Sequence, residues 1–467
     1  MIEAALSAPE AAFAAQKAGV ERRRLEFGLK ERRAALARLG AVVRAREAEI
    51  AAALAEDFGK PEAEVILTEI LPVLQEIRHT SRYLGRWMRA RRVWPTMATL
   101  GTVSRIRPEA RGVCLIVAPW NYPFNLALGP LVSCLAAGNS AIVKPSEMTP
   151  ATSALIARIV AEAFPPDLVT VIEGGKEVSG DLLALPFDHI FFTGSPAVGR
   201  IVMAAAARTL ASVTLELGGK SPTIVGPGAD IDRAAQWVAF GKFANAGQTC
   251  IAPDHLFVHD SVKAAFVAAL RGRIEAAYGA GVSSPHLARI VNDHHAGRLR
   301  GLLQDATAKG AEVILGGVQE GTRLSPTLIE AITPEMEIDR EEIFGPVLPI
   351  IGYSDLDEVI ARINARPKPL ALYIFDRDPS FSDEIIAATS SGGVGVNLTV
   401  MHYTHPGLPF GGVNNSGIGA AHGEHGFRAF SHERGIMRNR FTALPILFPP
   451  YTARVRRLIG LAKRIVG

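Results

Sequence analysis

The chain has 467 residues, 48% of them apolar and 21% charged, with a formal net charge of +4. That length requires two or three domains rather than one core, and the composition excludes a disordered chain. Five basic residues after Phe441 (Arg454, Arg456, Arg457, Lys463, Arg464) face no acidic residue there, so the rest of the chain carries −1 and a general nucleic-acid surface is excluded. No apolar run approaches the roughly 18 residues that span a bilayer. Glu3 and Glu10 precede any basic cluster, unlike a secretory signal. Three cysteines (Cys114, Cys134, Cys250) suit neither a disulfide framework nor a thiolate zinc site, and the expectation is a cytoplasmic protein.

The first ninety residues read as helices. Leu36, Leu39, Val43, Ile50 and Leu54 recur at helical spacing until Phe58-Gly59-Lys60-Pro61 supplies a stop, and Ile66, Ile70, Val73, Leu74 and Ile77 form a second apolar stripe. Residues Trp87–Pro108 combine an arginine cluster with the alternating Val103-Ser104-Arg105-Ile106, a protruding hairpin. From Gly112 short apolar runs (Val113–Val117, Ala141–Val143, Val169–Ile172, Ile190–Phe192) alternate with helical stretches, which predicts a doubly wound parallel sheet with its ligand at the strand C-termini. A second α/β block is expected from about Thr214 to Asn397, with a helix over Val262–Tyr278 and strands at Ile343–Tyr353 and Ala371–Phe375. The last residues place Val455, Leu458, Ile459, Ala462, Ile465 and Val466 on one helical face with the basic residues largely opposite. That pattern fits an interfacial membrane helix, or a helix docked on this chain or a partner subunit.

Three residue settings carry chemistry. Cys250 follows Asn245-Ala246-Gly247-Gln248-Thr249, a glycine-containing turn that lets a carbonyl approach the thiol and its backbone N–H, although a lone cysteine is more often a buried structural one. Glu216 is bracketed by two leucines at the end of a strand-like run, where partial desolvation raises a carboxylate toward general-base use; a solvent-facing strand end reads equally well. Asn121 sits between prolines in Pro119-Trp120-Asn121-Tyr122-Pro123, as an oxyanion donor or simply a turn residue. His402 with His405 and His422 with His425 lack metalloprotease spacing, and no metal site is expected. Arg86, Arg89, Arg91 and Arg92 read as a solvated helix end near a subunit interface.

Together these settings resemble the aldehyde dehydrogenase superfamily: Cys250 in GQTC, Glu216 in LELGGK, Asn121 in PWNYP, Lys144 in KPSE and Glu342 in EEIFGPV occur in that family's order and spacing from about residue 30 to about 440. Pro409-Phe410-Gly411-Gly412-Val413-Asn414-Asn415-Ser416-Gly417, with Gly426-Phe427 and Phe430-Ser431-His432, is similar to the class 3 branch. Trp87-Met88-Arg89, Pro369-Leu370-Ala371-Leu372-Tyr373 and the basic tail are similar to bacterial coniferyl-aldehyde dehydrogenases. The resemblance implies a Rossmann-like cofactor domain (1–86 and 109–213), an α/β catalytic domain (214–397), oligomerisation and substrate-side elements (87–108 and 398–440) and a basic amphipathic tail (441–467), assembled as a homodimer.

It further implies that Cys250 adds to a small-molecule aldehyde. The adduct's oxyanion is held by Asn121 and the Cys250 N–H, hydride passes to nicotinamide, and Glu216 activates the water that hydrolyses the thioester. Trp120, Lys144, Glu147, Thr193, Gly194, Ser195, Gly218, Glu342 and Phe344 match cofactor positions. Thr193-Gly194-Ser195 opens a helix that meets the pyrophosphate, although it lacks the second glycine of the Rossmann fingerprint. Gly417-Ile418-Gly419, running on to Gly423, looks closer to that fingerprint but follows no strand. Glu147 accepts from a ribose 2′-hydroxyl and repels a 2′-phosphate while Lys144 attracts one, so NAD is expected with NADP also used. Leu398 stands where class 3 chains carry a polar residue, expected near the substrate mouth. Aromatic, cinnamyl-type aldehydes lead, followed by long-chain or apocarotenoid aldehydes. The rivals are a CoA-acylating or acyl-phosphate enzyme on the same fold, a non-redox cysteine hydrolase or acyltransferase, and a silent binding scaffold.

Overall fold

The computed structural model describes residues 7–279 and 281–466; the side chains of Ile465 and Val466, part of the expected apolar face of the tail, lie outside the described residues. The N-terminal layer is helical: Ala8–Ala18, Val20–Glu26, Leu29–Ala45, Glu47–Phe58 and Leu71–Trp87. Leu36, Leu39, Val43, Ile50 and Leu54 are fully buried on it, and truncating any one leucine of such a stripe costs about 2–5 kcal/mol. The stop works through Gly59, whose left-handed φ of +63° lets its N–H close on Ala55 O. The second stripe is interrupted by a π-helical stretch at Ile66–Ile70. The extra residue per turn leaves Glu69 fully buried beside Ile70, and pattern reading does not detect such an insertion.

The first sheet, taken over the described residues, runs Gly417–Ile418, Ser212–Glu216, His189–Thr193, Val113–Val117, Ser140–Lys144, Val169–Val171. Its five longer strands are parallel, and the order reverses between Val113–Val117 and His189–Thr193. At such a reversal the following loops diverge and leave a crevice at the strand C-termini. The expected boundary at Thr214 is corrected: Ser212–Glu216 pairs with His189–Thr193, so the first sheet extends through Glu216. A strand's own apolar pattern does not specify which sheet it joins.

Gly417–Ile418 follows no strand, as expected, but does not lie in a loop. It is itself a short strand, antiparallel to Ser212–Glu216 with Gly417 opposite Glu216; two residues are too few to show alternation.

The second sheet runs Glu312–Leu315, Thr327–Glu330, Val347–Tyr353, His255–His259, Pro222–Val225, Ala371–Phe375, Gly393–Val396, parallel but for its first strand. The strand expected over Ile343–Tyr353 begins only at Val347, because Phe344 takes a left-handed φ of +49°. The helix at Val262–Tyr278 spans Asp260–Tyr278.

The helix Leu71–Trp87 consumes the start of the expected hairpin. Beyond it, Arg91–Val93 pairs with Thr102–Ala110, and Ser431–Asn439 completes a three-stranded antiparallel sheet. The tail forms the helix Ala453–Val466, with Val455 buried while Ile459 and Leu461 stay exposed. Among the described residues no helix is long and apolar enough to cross a membrane.

Candidate active site

The crevice at the sheet reversal opens into a cavity of about 630 Å³. Trp120 and Asn121 enter it from the loop after Val113–Val117, and Thr193, Gly194 and Ser195 from the end of His189–Thr193. Glu216 and Gly218 enter from the end of Ser212–Glu216, Cys250 from the second α/β block, and Glu342 and Phe344 from the loop before Val347–Tyr353. Lys144 and Glu147 do not line the cavity; they lie beside it at the end of Ser140–Lys144, where Lys144 O accepts from Ala118 N.

Cys250 owes its position to backbone that few residues adopt. Asn245, Ala246 and Gly247 have φ of +54°, +51° and +72° in succession. At Gly247 a Cβ would stand 2.3 Å from Gly345 O, so only glycine fits. The carboxamide of Gln248 closes the loop: Nε2 donates to Asn245 O and Arg289 O, and Oε1 accepts from Val291 N. Asn121 Nδ2 donates to Gln248 O at 3.0 Å, and Tyr122 Oη lies 2.8 Å from Thr249 Oγ1. The asparagine and the thiol therefore belong to one hydrogen-bonded frame.

Burial pushes the Cys250 thiol up to about 12, with Glu342 and Glu216 adding to the shift; the backbone N–H groups of Cys250 and Ile251 oppose it by stabilising the thiolate. Glu216 is held well above the ordinary carboxylate range by burial, and neither of its oxygens has a hydrogen-bond partner among the described residues. A buried carboxyl without a partner is costly unless something else is to meet it, such as a water, a thiol proton or a substrate. Glu342 is raised to about 7, by burial first and then by Asp254, against a bond from the Gly219 N–H.

Several supporting residues escape sequence reasoning. Lys220 Nζ bonds Asp254 and donates to Ile338 O and Glu341 O; Asp254 accepts from Ile343 N, and Arg298 Nη1 donates to Glu342 O. Burial alone would raise Asp254, but Lys220 and His255 hold it well below its usual value. This clamp presents Glu342 and Phe344. Only the position of Lys220 inside LELGGK hinted at it. His295 packs 5.0 Å from the Trp120 ring, and Phe344 lies edge-on to Trp120 at 5.4 Å.

The residues fit a dinucleotide. Ser195 caps the helix Pro196–Thr209, whose N-terminus suits a phosphate, and Thr193 Oγ1 is buried without a partner among the described residues. Gly218 is bare, and a Cβ there would collide with Glu342 at 2.5 Å. Leu398 corrects an expectation. It is not among the cavity-lining residues; Val400, Met401, Tyr403 and Thr404 are, because the left-handed Asn397, bonded through its side chain to the Asp376 backbone, turns the chain before it arrives. His422 packs 4.6 Å from Tyr403 and 5.5 Å from Phe410. Among the described residues no cluster of three or more His, Cys, Asp or Glu is placed to hold a metal.

The chain matches the model of the aldehyde dehydrogenase family over residues 3–436. It is 42% identical to the 4,4'-diaponeurosporen-aldehyde dehydrogenase of Staphylococcus aureus over 92% of this chain and 94% of that protein. It is 40% identical to a Pseudomonas aeruginosa protein named "Probable coniferyl aldehyde dehydrogenase" over 87% and 86%. A solved structure of the substrate-bound state of Staphylococcus aureus AldH superposes with a TM-score of 0.93 at 40% identity, covering 98% of this chain and all of that one. A glyceraldehyde-3-phosphate dehydrogenase from Bacillus halodurans complexed with NADP superposes at 0.86 with 29% identity, covering 93% and 91%. The fold, the catalytic cavity and these relatives agree: the chain belongs to the aldehyde dehydrogenase family and is an NAD(P)-dependent aldehyde dehydrogenase.

Proposed function

We propose that the chain oxidises aromatic, cinnamyl-type aldehydes to their acids through a thioester on Cys250. The observation that carries this reading is the convergence of Cys250, Glu216 and Asn121 on one cavity whose wall is largely apolar and includes Tyr122, Tyr403 and Phe410. Cys250 Sγ forms the bond to the carbonyl carbon. Asn121 Nδ2 has one N–H on Gln248 O and a second left for the developing oxyanion, beside the Cys250 backbone N–H; donors of this kind are worth about 3 kcal/mol each. A bound nicotinamide supplies the acceptor for the hydride. Glu216 takes the proton of the water that attacks the thioester, and the acid departs. Lys144, Glu147, Thr193, Ser195, Gly218, Glu342, Phe344 and Trp120 hold the dinucleotide, with NAD favoured and NADP accepted.

A hydrolytic base argues against CoA-acylating chemistry, which must keep water from the thioester. NADH formation without added CoA supports the hydrolytic reading; an absolute need for CoA overturns it. A panel of coniferaldehyde, benzaldehyde, hexanal and hexadecanal, followed by NADH absorbance, tests the substrate class. Aromatic substrates are expected to give the highest kcat/KM, and a hexadecanal preference of about tenfold or more (roughly 1.4 kcal/mol) overturns it.

A second reading, long-chain or apocarotenoid aldehydes delivered at a membrane surface, is favoured by the exposed Phe441, Phe448, Tyr451, Ile459 and Leu461 around the basic tail. Flotation of full-length and 1–440 proteins with anionic liposomes separates the two. The reading also includes a cytoplasmic location, consistent with three free cysteines. It includes a homodimer bridged by 87–108 and 398–440, on a division into 1–86 with 109–216 and 217–397, the boundary moved past the strand Ser212–Glu216.

A further inference from the structure

The segment between the helices Glu47–Phe58 and Leu71–Trp87 of the N-terminal layer touches both loops that carry the chemistry. Glu64 accepts from Asn245 N at 2.7 Å, at the first left-handed residue of the nucleophile loop. Glu69, fully buried and 2.7 Å from the equally buried Lys60 Nζ, accepts from Asn125 N at 2.9 Å, just past the Asn121 turn. Lys60 Nζ also lies 3.9 Å from the centre of the Tyr122 ring. From the far side, the Asn245 carboxamide donates to Asn121 O at 2.8 Å and to Gln248 O at 3.1 Å, while its Oδ1 stays buried without a partner among the described residues. A buried acceptor left without a partner is tolerated when the group's other bonds fix something the fold needs.

We propose that Glu64 and Asn245 are positioning residues for the oxyanion site, a two-step relay that fixes where Asn121 Nδ2 points relative to Cys250. Asn245 and Ala246, two successive non-glycine residues at positive φ, store strain, and a loop so built has other conformations within reach. The Glu64 carboxylate ties its first N–H to the helical layer, and Asn245 then spends both of its N–H bonds on the carbonyls of Asn121 and Gln248. Gln248 O accepts from both asparagines, so a shift of the Asn245 backbone moves the acceptor that orients the Asn121 amide. Oxyanion donors work only at the position where charge develops, and a displacement of about 1 Å costs roughly 100-fold in rate. Neither Glu64 nor Asn245 lines the cavity; their effect runs through Asn121.

This inference rests on Asn121 serving as the oxyanion donor, and a double-mutant cycle separates the two claims. The variants are Glu64→Ala, Asn121→Ala and the pair, with kcat and KM for benzaldehyde and NAD and a melting temperature for each. Asn245→Gly, which keeps the positive φ while removing the carboxamide, gives a second cycle should Glu64→Ala fold poorly. Glu64→Ala is expected to lower kcat about 100-fold with KM for NAD unchanged. Glu64→Gln, which retains an acceptor oxygen for Asn245 N, restores kcat to within about threefold. In the Asn121→Ala background neither Glu64→Ala nor Asn245→Gly lowers kcat further. If Asn121→Ala is deleterious and the losses add, the relay is wrong and the donor role of Asn121 stands. If Asn121→Ala leaves kcat intact, the donor role falls and the relay with it.

Discussion

A Cβ on Gly218 would stand 2.5 Å from Glu342 Oε2, so the bare backbone after Glu216 is the floor on which the Glu342 carboxylate rests. The contact joins the end of the first sheet to the loop before Val347–Tyr353, and it explains why only glycine fits at that position. Gly218→Ala is expected to push Glu342 aside and raise the dissociation constant for NADH about tenfold, or roughly 1.4 kcal/mol, as read by fluorescence titration. Unchanged affinity would remove Glu342 from the cofactor site.

Lys144 Nζ lies 2.8 Å from Glu147 Oε2, with the lysine buried and the carboxylate half exposed. Burial acts to raise Glu147, but the Lys144 bond, the residue's own backbone N–H and the Lys144 charge together outweigh it and hold the group below its usual value. An ionised carboxylate there favours a 2′-hydroxyl over a 2′-phosphate. Glu147→Gln frees the lysine and is expected to raise kcat/KM with NADP relative to NAD by about tenfold (roughly 1.4 kcal/mol). A ratio that stays fixed places the discrimination elsewhere.

Cys250 and Glu216 are both raised by burial, the thiol to about 12. Attack needs the thiolate and hydrolysis needs the carboxylate, so both steps are slowed by protonation, and kcat is expected to climb with pH through the neutral and alkaline range rather than level off near pH 5. Glu216→Gln is expected to leave the first turnover of NADH intact while slowing the steady state by about 10²–10⁴-fold. Stopped-flow absorbance reads both phases. Loss of the burst itself would assign Glu216 to thiol activation instead.

His189, buried between Ser212 and Thr214 and packed against Phe430, is lowered to about 3 by burial and by the Arg111 charge. The unfolded chain takes up a proton below its ordinary value of 6.5 that the folded chain refuses until about 3. The stability His189 contributes is therefore complete above pH 6.5 and is lost as the pH falls toward 3. By pH 5 the loss amounts to about 2 kcal/mol. Urea unfolding of wild type and His189→Gln at pH 7.5 and pH 5 checks this: the stability difference between them should shrink at the lower pH, and a constant difference would contradict it.

The sequence was informative where a pattern is local. Val113–Val117 and His189–Thr193 announce themselves as apolar runs with turn residues at their ends, and GQTC, LELGGK and PWNYP carry their chemistry in adjacent residues. It was silent where pairing is long-range. Nothing in Thr214-Leu215-Glu216 states that it completes the first sheet, and nothing in Gly417–Ile418 states that it pairs beside Glu216. The supports of the site are hidden for the same reason. Glu64 meets Asn245 and Lys220 meets Asp254 only after distant loops converge. Phe344 at positive φ, a conformation that favours glycine, cut short an apolar run that reads as continuous strand.

The most direct measurement is the site of acylation. Glu216→Gln is mixed with benzaldehyde and NAD, quenched in acid within the first turnover, digested and examined by mass spectrometry, with Cys250→Ser run in parallel. The expected result is a benzoyl increment on the peptide carrying Cys250, in amount matching the NADH released, and no turnover by Cys250→Ser. NADH release with Cys250 unmodified, or Cys250→Ser turning over at the wild-type rate, would contradict a thioester mechanism at this cysteine.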